Sequence, residues 1–392
     1  MVVVAVTKSS AAKSSQYPGN FHWGLVLASV LGVCVPLMAA VLPEDRADVM
    51  YHSYSGGGLD VAGPSVLVRK SIGKSTSVWG NYYVDTITSA TIDVVTSASE
   101  YTEERTEKSL GADYLYDNTT LSLSYTNSVE NDFNANSVNI GISQLMFGDL
   151  TTVTLGYAKN WNVITATGRP LVEEEADQQR YKLGLSQVVT KNLLMEFNFE
   201  TITDEGFLNN PYRQVRYLDG NGGYDKEFEK YPRTRTSHAA AMRFLYYLPY
   251  RAAIRGEVRG YTDTWGINAN MAELAYIHPT KQGWTYEASY RVYSQTSADF
   301  YSDLFNSSEE FIYRARDKEL STLSTQSIGL GVRYEFKKYG FVDKSSVNIL
   351  YNRYEVDYEN FHDLRVTGVT PGTEPLYSLS ADVFRIFISA WY

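Results

Sequence analysis

The chain has 392 residues, 44% of them apolar, and a formal net charge of -10. This length accommodates one large or two ordinary domains, and the acidic balance argues against a nucleic-acid partner. The mean hydropathy of -0.28 excludes a bundle of membrane-spanning helices, but not a membrane barrel, in which half of each strand is polar.

Residues 1–40 read as a signal peptide. Lys8 and Lys13 sit in a polar leader, followed by an apolar run from Phe21 that ends in Leu37-Met38-Ala39-Ala40 before Pro43-Glu44-Asp45. Its length and small terminal residues suit cleavage, although Leu37 or Met38 would occupy the position two before the cut residue. Cys34 is the only cysteine; a lipoprotein signal using it is disfavoured by the bulk of Val33. After cleavage no thiol would remain.

Residues 41–392 are predicted to form one outer-membrane β-barrel: an all-β, antiparallel, transmembrane up-and-down barrel of about 16 strands. The strands are expected at 48-55, 61-71, 75-87, 106-116, 119-128, 136-146, 150-161, 177-189, 193-204, 236-248, 252-264, 268-278, 284-297, 320-337, 343-357 and 376-392. Most approach the roughly ten residues that a tilted strand needs to cross a bilayer. Fourteen is the fallback if 48-71 is not part of the wall.

Connections alternate in length. Ile72-Gly73-Lys74, Asp117-Asn118, Phe147-Gly148-Asp149, Thr190-Lys191-Asn192 and Pro249-Tyr250-Arg251 are short and carry turn chemistry. The intervening segments include 88-105, 162-176, 205-235, 298-319 and 358-375. Outer-membrane barrels have short periplasmic turns and longer outer loops, which places both termini in the periplasm. Tyr116, Phe147, Tyr250, Trp284, Phe336, Tyr339, Phe341 and Tyr392 lie beside the short turns. Tyrosine, with 32 copies against 16 Phe, suits the membrane–water boundary because its apolar ring carries a polar tip.

Side chains two apart share a strand face. Leu193, Met195, Phe197 and Phe199 are expected toward lipid, leaving Glu196 and Glu200 inside. The same alternation puts Arg243, Arg255, Glu257, Arg259, Glu287, Arg291, Arg333 and Glu335 in the lumen. A charge on the lipid face costs about 2–4 kcal/mol at mid-bilayer, so this sorting is a requirement of the barrel. It predicts a polar lumen of both signs, whose charges either pair across the wall or form a selective constriction. In the last strand Phe384, Ile386, Ile388, Ala390 and Tyr392 form an apolar face, with Arg385 on the other. Such a closing strand is also the signal that barrel-assembly machinery reads.

The loop 205-235 is the longest, and Asn209-Asn210-Pro211-Tyr212-Arg213 within it are candidates for a plug. Asp219 to Asp225 spaces oxygen ligands as a calcium loop does, but lacks its glycine position and terminal Glu, so a plain turn is the better reading. Glu100, Glu103, Glu104 and Glu107, with Arg105 and Lys108, read as an outer charged loop that could meet lipopolysaccharide through divalent ions. His52, His238, His278 and His362 are widely spaced and form no metal pattern. No enzyme chemistry, cofactor or metal is expected.

Several runs carry a family resemblance. Ser55-Gly56-Gly57-Gly58, Gly63 to Lys70, Asn81-Tyr82-Tyr83-Val84-Asp85, Ile92-Asp93-Val94-Val95-Thr96, Glu103-Glu104-Arg105 and Ile202 to Arg213 are similar to a Gram-negative outer-membrane set catalogued as domain of unknown function 3570. The resemblance covers nearly all of the mature chain and implies an outer-membrane barrel of no settled activity. It also suggests a periplasmic lipoprotein or redox partner. The leading expectation is a passive, porin-like channel for small polar solutes, embedded in outer-membrane lipid and lipopolysaccharide. The alternative is a scaffold that docks the periplasmic partner and has no open pore.

Overall fold

The computed structural model describes residues 41–89, 91–92, 101–166 and 173–392. The expected signal peptide with Cys34, and Glu100, lie outside the described residues. The strands are β1 (Arg46–Gly56), β2 (Leu59–Ile72), β3 (Thr76–Ser89), β4 (Tyr101–Tyr116), β5 (Thr119–Val129) and β6 (Phe133–Met146). They continue as β7 (Thr151–Thr165), β8 (Glu173–Thr190), β9 (Leu193–Gly206), β10 (Gln214–Leu218), β11 (Tyr224–Phe228) and β12 (Thr234–Tyr247). The last are β13 (Ala253–Asp263), β14 (Asn268–Pro279), β15 (Trp284–Gln295), β16 (Leu323–Phe336), β17 (Lys344–His362) and β18 (Leu376–Trp391).

All but β10 and β11 join one closed antiparallel barrel in which neighbours in sequence are neighbours in the wall. β1 closes it by pairing with β18 from Arg46↔Trp391 to Gly56↔Ala381. The sixteen wall strands correspond one for one to those expected, and 48-71 belongs to the wall. β10 and β11 form a separate hairpin inside the long loop between β9 and β12, so that loop is not the structureless insert its composition suggested.

Two ends follow from the connections. One carries residues 41–45, the C-terminal Tyr392 and only short turns; the other carries all the longer loops, together with the short links 57–58, 130–132 and 264–267. At the turn end Phe147, Gly148 and Asp149 take φ of 55°, 65° and 67° in succession, a left-handed path that reverses the chain within three residues. Gly63 on β2 has a different role: a Cβ there would overlap the carbonyl oxygen of Val84 on β3, so only glycine permits this approach. The outer face is apolar over a continuous band, with Val66, Leu123, Ile140, Phe197, Val258, Leu330 and Ile388 all exposed. Exposed apolar surface on this scale marks a membrane contact rather than a solvated face. Tyr116, Phe147, Tyr250, Trp284, Phe336, Tyr339 and Phe341 edge the band at the turn end.

One expectation is corrected. Glu103, Arg105 and Glu107 are not an outer loop: they are alternate residues of β4, lumen-facing and buried, while Glu104 and Lys108 face out. Polar residues on both faces hid the alternation.

The turn end is clasped at the seam. Asp45 accepts from Lys70 Nζ and from the Ser71 amide at 2.6 Å, and Lys70 stands 4.9 Å from the ring of Tyr392. The Lys70 ammonium and the Ser71 donors hold the Asp45 carboxyl down to about 2. A depressed carboxyl stabilises the fold above its unfolded value, about 3.9 for Asp, and loses that contribution as pH falls through its folded value. Asp45→Asn is therefore expected to remove the part of acid destabilisation lying between about 3.9 and about 2. Melting curves across that window check this; equal losses in both proteins would show that the clasp contributes nothing.

Candidate functional site

On β5, β6, β7 and β9 the lumen-facing side changes character along the strand. Near the turn end these residues are open: Thr154 on β7 and Asn198 on β9 are exposed, and Ser122, Ser124 and Asn139 on β5 and β6 are half-exposed. Further along the same strands Thr126, Ala135, Asn160 and Glu200 are buried at 1%, 1%, 3% and 8% exposure. Beside β5–β9 the lumen is thus open at the turn end and filled toward the loop end, whereas Ala275, Ile277, Ser346 and Asn348, inward on β14 and β17, are buried at the turn end as well.

The open part is a cavity of about 750 Å³ reaching from Arg46 and Ser389 at the rim inward to Glu107, Arg180 and Glu200. Six formal charges of each sign line it. Arg46 pairs with Asp48 at 3.1 Å, Arg69 with Asp113, and Lys182 with Glu200 at 3.8 Å. Arg243 bridges Glu257 at 2.6 Å and Glu196 at 3.4 Å.

Of the candidate lumen residues, Glu196, Glu200, Arg243, Glu257 and Arg259 line this cavity together. Arg255 and Glu287 face inward but are packed into the β13–β15 wall, where Arg255 bonds Glu287 at 2.7 Å and Glu273 at 3.2 Å. Arg291 stands opposite Glu273 in the β14–β15 ladder. Arg333 and Glu335 pair at 2.5 Å near the turn-end rim. Arg385 is buried at 4% exposure beside His52, its partner in the β1–β18 ladder. These charges do not form one ring.

The expectation of a polar lumen holds for only part of its length. At the loop end of β1–β3 and β16–β18, the inward residues Tyr54, Val61, Ile87, Tyr354, Val356, Leu379 and Val383 form an apolar cluster. Next to it lies a polar group: His52 Nε2 is 2.7 Å from Asp85 and 3.0 Å from the Tyr83 hydroxyl, and Arg105 pairs with the other oxygen of Asp85. Thus apolar packing fills the lumen there, and the buried Asp85 and Arg105 neutralise each other, as burial of charge demands.

The outer loops complete the filling. Leu208 packs against Phe133, Ala135, Ile164 and Ala176 of β6–β8 and also against the cluster of Trp265, Ile267 and Tyr231. Segment 296–322 continues from that cluster to β17, where Tyr301 donates to the Asn360 carbonyl at 2.9 Å. Among the plug candidates, Arg213 is buried on Asp317, and Asn209 donates to the Glu229 carbonyl at 3.1 Å. Asn210 accepts from the Tyr212 amide at 2.9 Å, Pro211 is buried and Tyr212 is exposed. Asp219 Oδ1 accepts the amides of Asn221 and Gly223, at 2.7 and 2.9 Å, forming a plain turn.

Arg216, on β10, ties these loops together. Its guanidinium is 1% exposed and holds Glu374 at 2.5 and 3.1 Å, Asp303 through a carboxylate oxygen, and the Asp303 carbonyl at 2.9 Å. Arg316 and His362 hold Asp303 at 2.8 and 2.9 Å. Burial opposes the charges on Asp303 and Glu374, but the arginines outweigh it and both carboxyls stay below their ordinary range. Asp303, His362 and Glu374 have the donor types of a metal site, yet Arg216 and Arg316 already occupy the two carboxylates, and His362 Nδ1 is bonded to Asp303. Glu103, Glu130 and Asp132 are a second such group, all buried.

Residues 48–377 match the family described as Protein of unknown function (DUF3570). The chain belongs to the DUF3570 family. No curated protein matches it. Among solved structures, the DUF3570 chain is similar to a bacterial polysaccharide outer membrane secretin at 7% identity and a TM-score of 0.48, covering 90% of this chain and 100% of that one. The outer-membrane expressed OmpT of Vibrio cholerae gives 11% and 0.43, with 90% and 100% covered. A Pseudomonas aeruginosa FadL homologue gives 10% and 0.42, with 89% and 90% covered.

Sequence reasoning missed Arg216, Asp303, Arg316 and Glu374 in this DUF3570 barrel. They lie on three loops, and no spacing or periodicity links them. Trp79 was also missed, although its inward position on β3 follows from the alternation that located the charges.

Proposed function

We propose that this protein is an outer-membrane transport barrel for small polar solutes, closed on the cell exterior in the state described and open to the periplasm. The change from exposed to buried lumen residues along single strands carries this reading. The tight turns and termini then lie in the periplasm, and the bonded loops outside. β18, with its apolar outer face, is the strand offered to the assembly machinery. The filled outer half also favours a second reading, a non-conducting scaffold whose turn end meets a periplasmic lipoprotein or redox protein.

Conductance in a planar bilayer separates the two. Gly206 N donates to the Arg233 carbonyl at 2.9 Å, so residues 207–232 can be excised between adjacent ends. The excision removes Leu208 and Tyr231 from the apolar filling and Arg213 from Asp317. The intact protein is expected to be silent and the shortened one to conduct steadily. Silence in both would overturn the transport reading and leave the scaffold. Steady conductance by the intact protein would overturn the closed state.

A further inference from the structure

We infer that the turn-end cavity binds a neutral saccharide; this rests on the transport reading for its biological use, but not for its chemistry. Equal numbers of positive and negative side chains line the cavity, so neither anions nor cations gain from its net field. The wall made by β5, β6 and β7 adds no charged residue to the lining; its polar groups there are Ser122, Ser124, Asn139, Thr152 and Thr154, beside Leu123, Ile140, Leu155, Tyr157 and small residues. Hydroxyl and amide groups both donate and accept, and a solute covered in hydroxyls satisfies them better than a carboxylate or an amine does.

Across the cavity stands the feature that narrows the class. Trp79, inward on β3, lines the cavity and is half-exposed to it. Its indole packs against Gly111 of β4, where any Cβ would collide with the ring. The Arg69 guanidinium lies 5.8 Å from the ring centroid and donates to Ser77 at 3.2 Å as well as to Asp113. An indole held in place by a glycine and flanked by a guanidinium–carboxylate pair is a platform for a pyranose. The electron-rich ring face attracts the C–H side of the sugar, while its hydroxyls reach the polar groups around the rim. The volume of about 750 Å³ lies within the roughly 300–1,000 Å³ of small-ligand sites, enough for a disaccharide.

The test is calorimetric titration of the detergent-folded full chain with maltose and sucrose, beside glucosamine and glucuronate as charged sugars. Saturable binding of a neutral disaccharide is expected, with at least tenfold weaker binding by the charged sugars. Trp79→Ala is expected to weaken disaccharide binding tenfold or more, and Thr154→Val about threefold, with the melting temperature of Thr154→Val unchanged. Trp79→Phe keeps a ring and should retain most of the affinity. No binding of either disaccharide, tighter binding of a charged sugar, or full affinity in Trp79→Ala would each overturn the inference. Because binding is read in detergent, a protein that binds maltose but conducts in neither bilayer experiment would keep this site and lose the transport reading. Conductance without maltose or sucrose binding would do the reverse.

Discussion

Arg216→Met is expected to release the outer loops as a unit while leaving the barrel wall folded. The substitution keeps an unbranched, largely apolar side chain in place and removes only the charge and its donors. Asp303 then retains Arg316 and His362, but Glu374 loses both of its guanidinium hydrogen bonds. Breaking a buried ion pair by removing one partner costs about 3–5 kcal/mol, because the other charge is stranded. A cost of that size exceeds what holds most surface loops, whereas the wall keeps its ladders from β1 to β18. Amide exchange in 207–233, 296–322 and 363–375 should therefore accelerate together, with the strands still protected. Arg216→Lys should recover little, since an ammonium cannot reproduce the forked contact to Glu374. Acid should mimic the substitution in the wild-type protein. Asp303 and Glu374 have depressed folded values, so their contribution is full above the ordinary carboxylate range and lost as pH falls through those lower values. Loops that exchange independently of one another, or a wall that unfolds with them, would show that Arg216 is no common latch.

The second large effect separates the two faces of the wall. Leu330, on β16, is 54% exposed on the outer band, between Ala288 of β15 and Tyr351 of β17. Leu330→Arg is expected to destabilise the barrel in lipid by about 2–4 kcal/mol, the cost of a cation near the bilayer midplane. Thr154→Arg, on the exposed lumen face of β7, should cost under about 1 kcal/mol, as surface substitutions usually do away from special features. Denaturant unfolding from phospholipid vesicles reads both. Equal costs at the two sites would contradict a lipid-facing outer band, and with it the membrane placement.

Strand count and the division into faces were legible because their cause is local. A strand between lipid and lumen must alternate, and that constraint is written every second residue, as in Arg255, Glu257 and Arg259 against Ile254, Gly256 and Val258. Legibility failed at the start of β4, where Thr102, Glu104, Thr106 and Lys108 are polar on the outer face as well. There the alternation carries no hydropathy signal, and a buried run looks like a solvated loop.

The sequence by itself thus determined the wall: sixteen strands, their inward charges and the short turns that set one end apart. Tertiary structure alone decided what fills the wall. Arg216 meets Asp303 and Glu374 at separations of 87 and 158 residues, and whether Tyr54 and Leu379 face water or each other depends on closure of β1 against β18. An inward side chain can line an open lumen or pack a closed one with the same alternation. Only the long-range contacts of the loops distinguish the two, because periodicity reports which face a residue occupies and not what lies opposite.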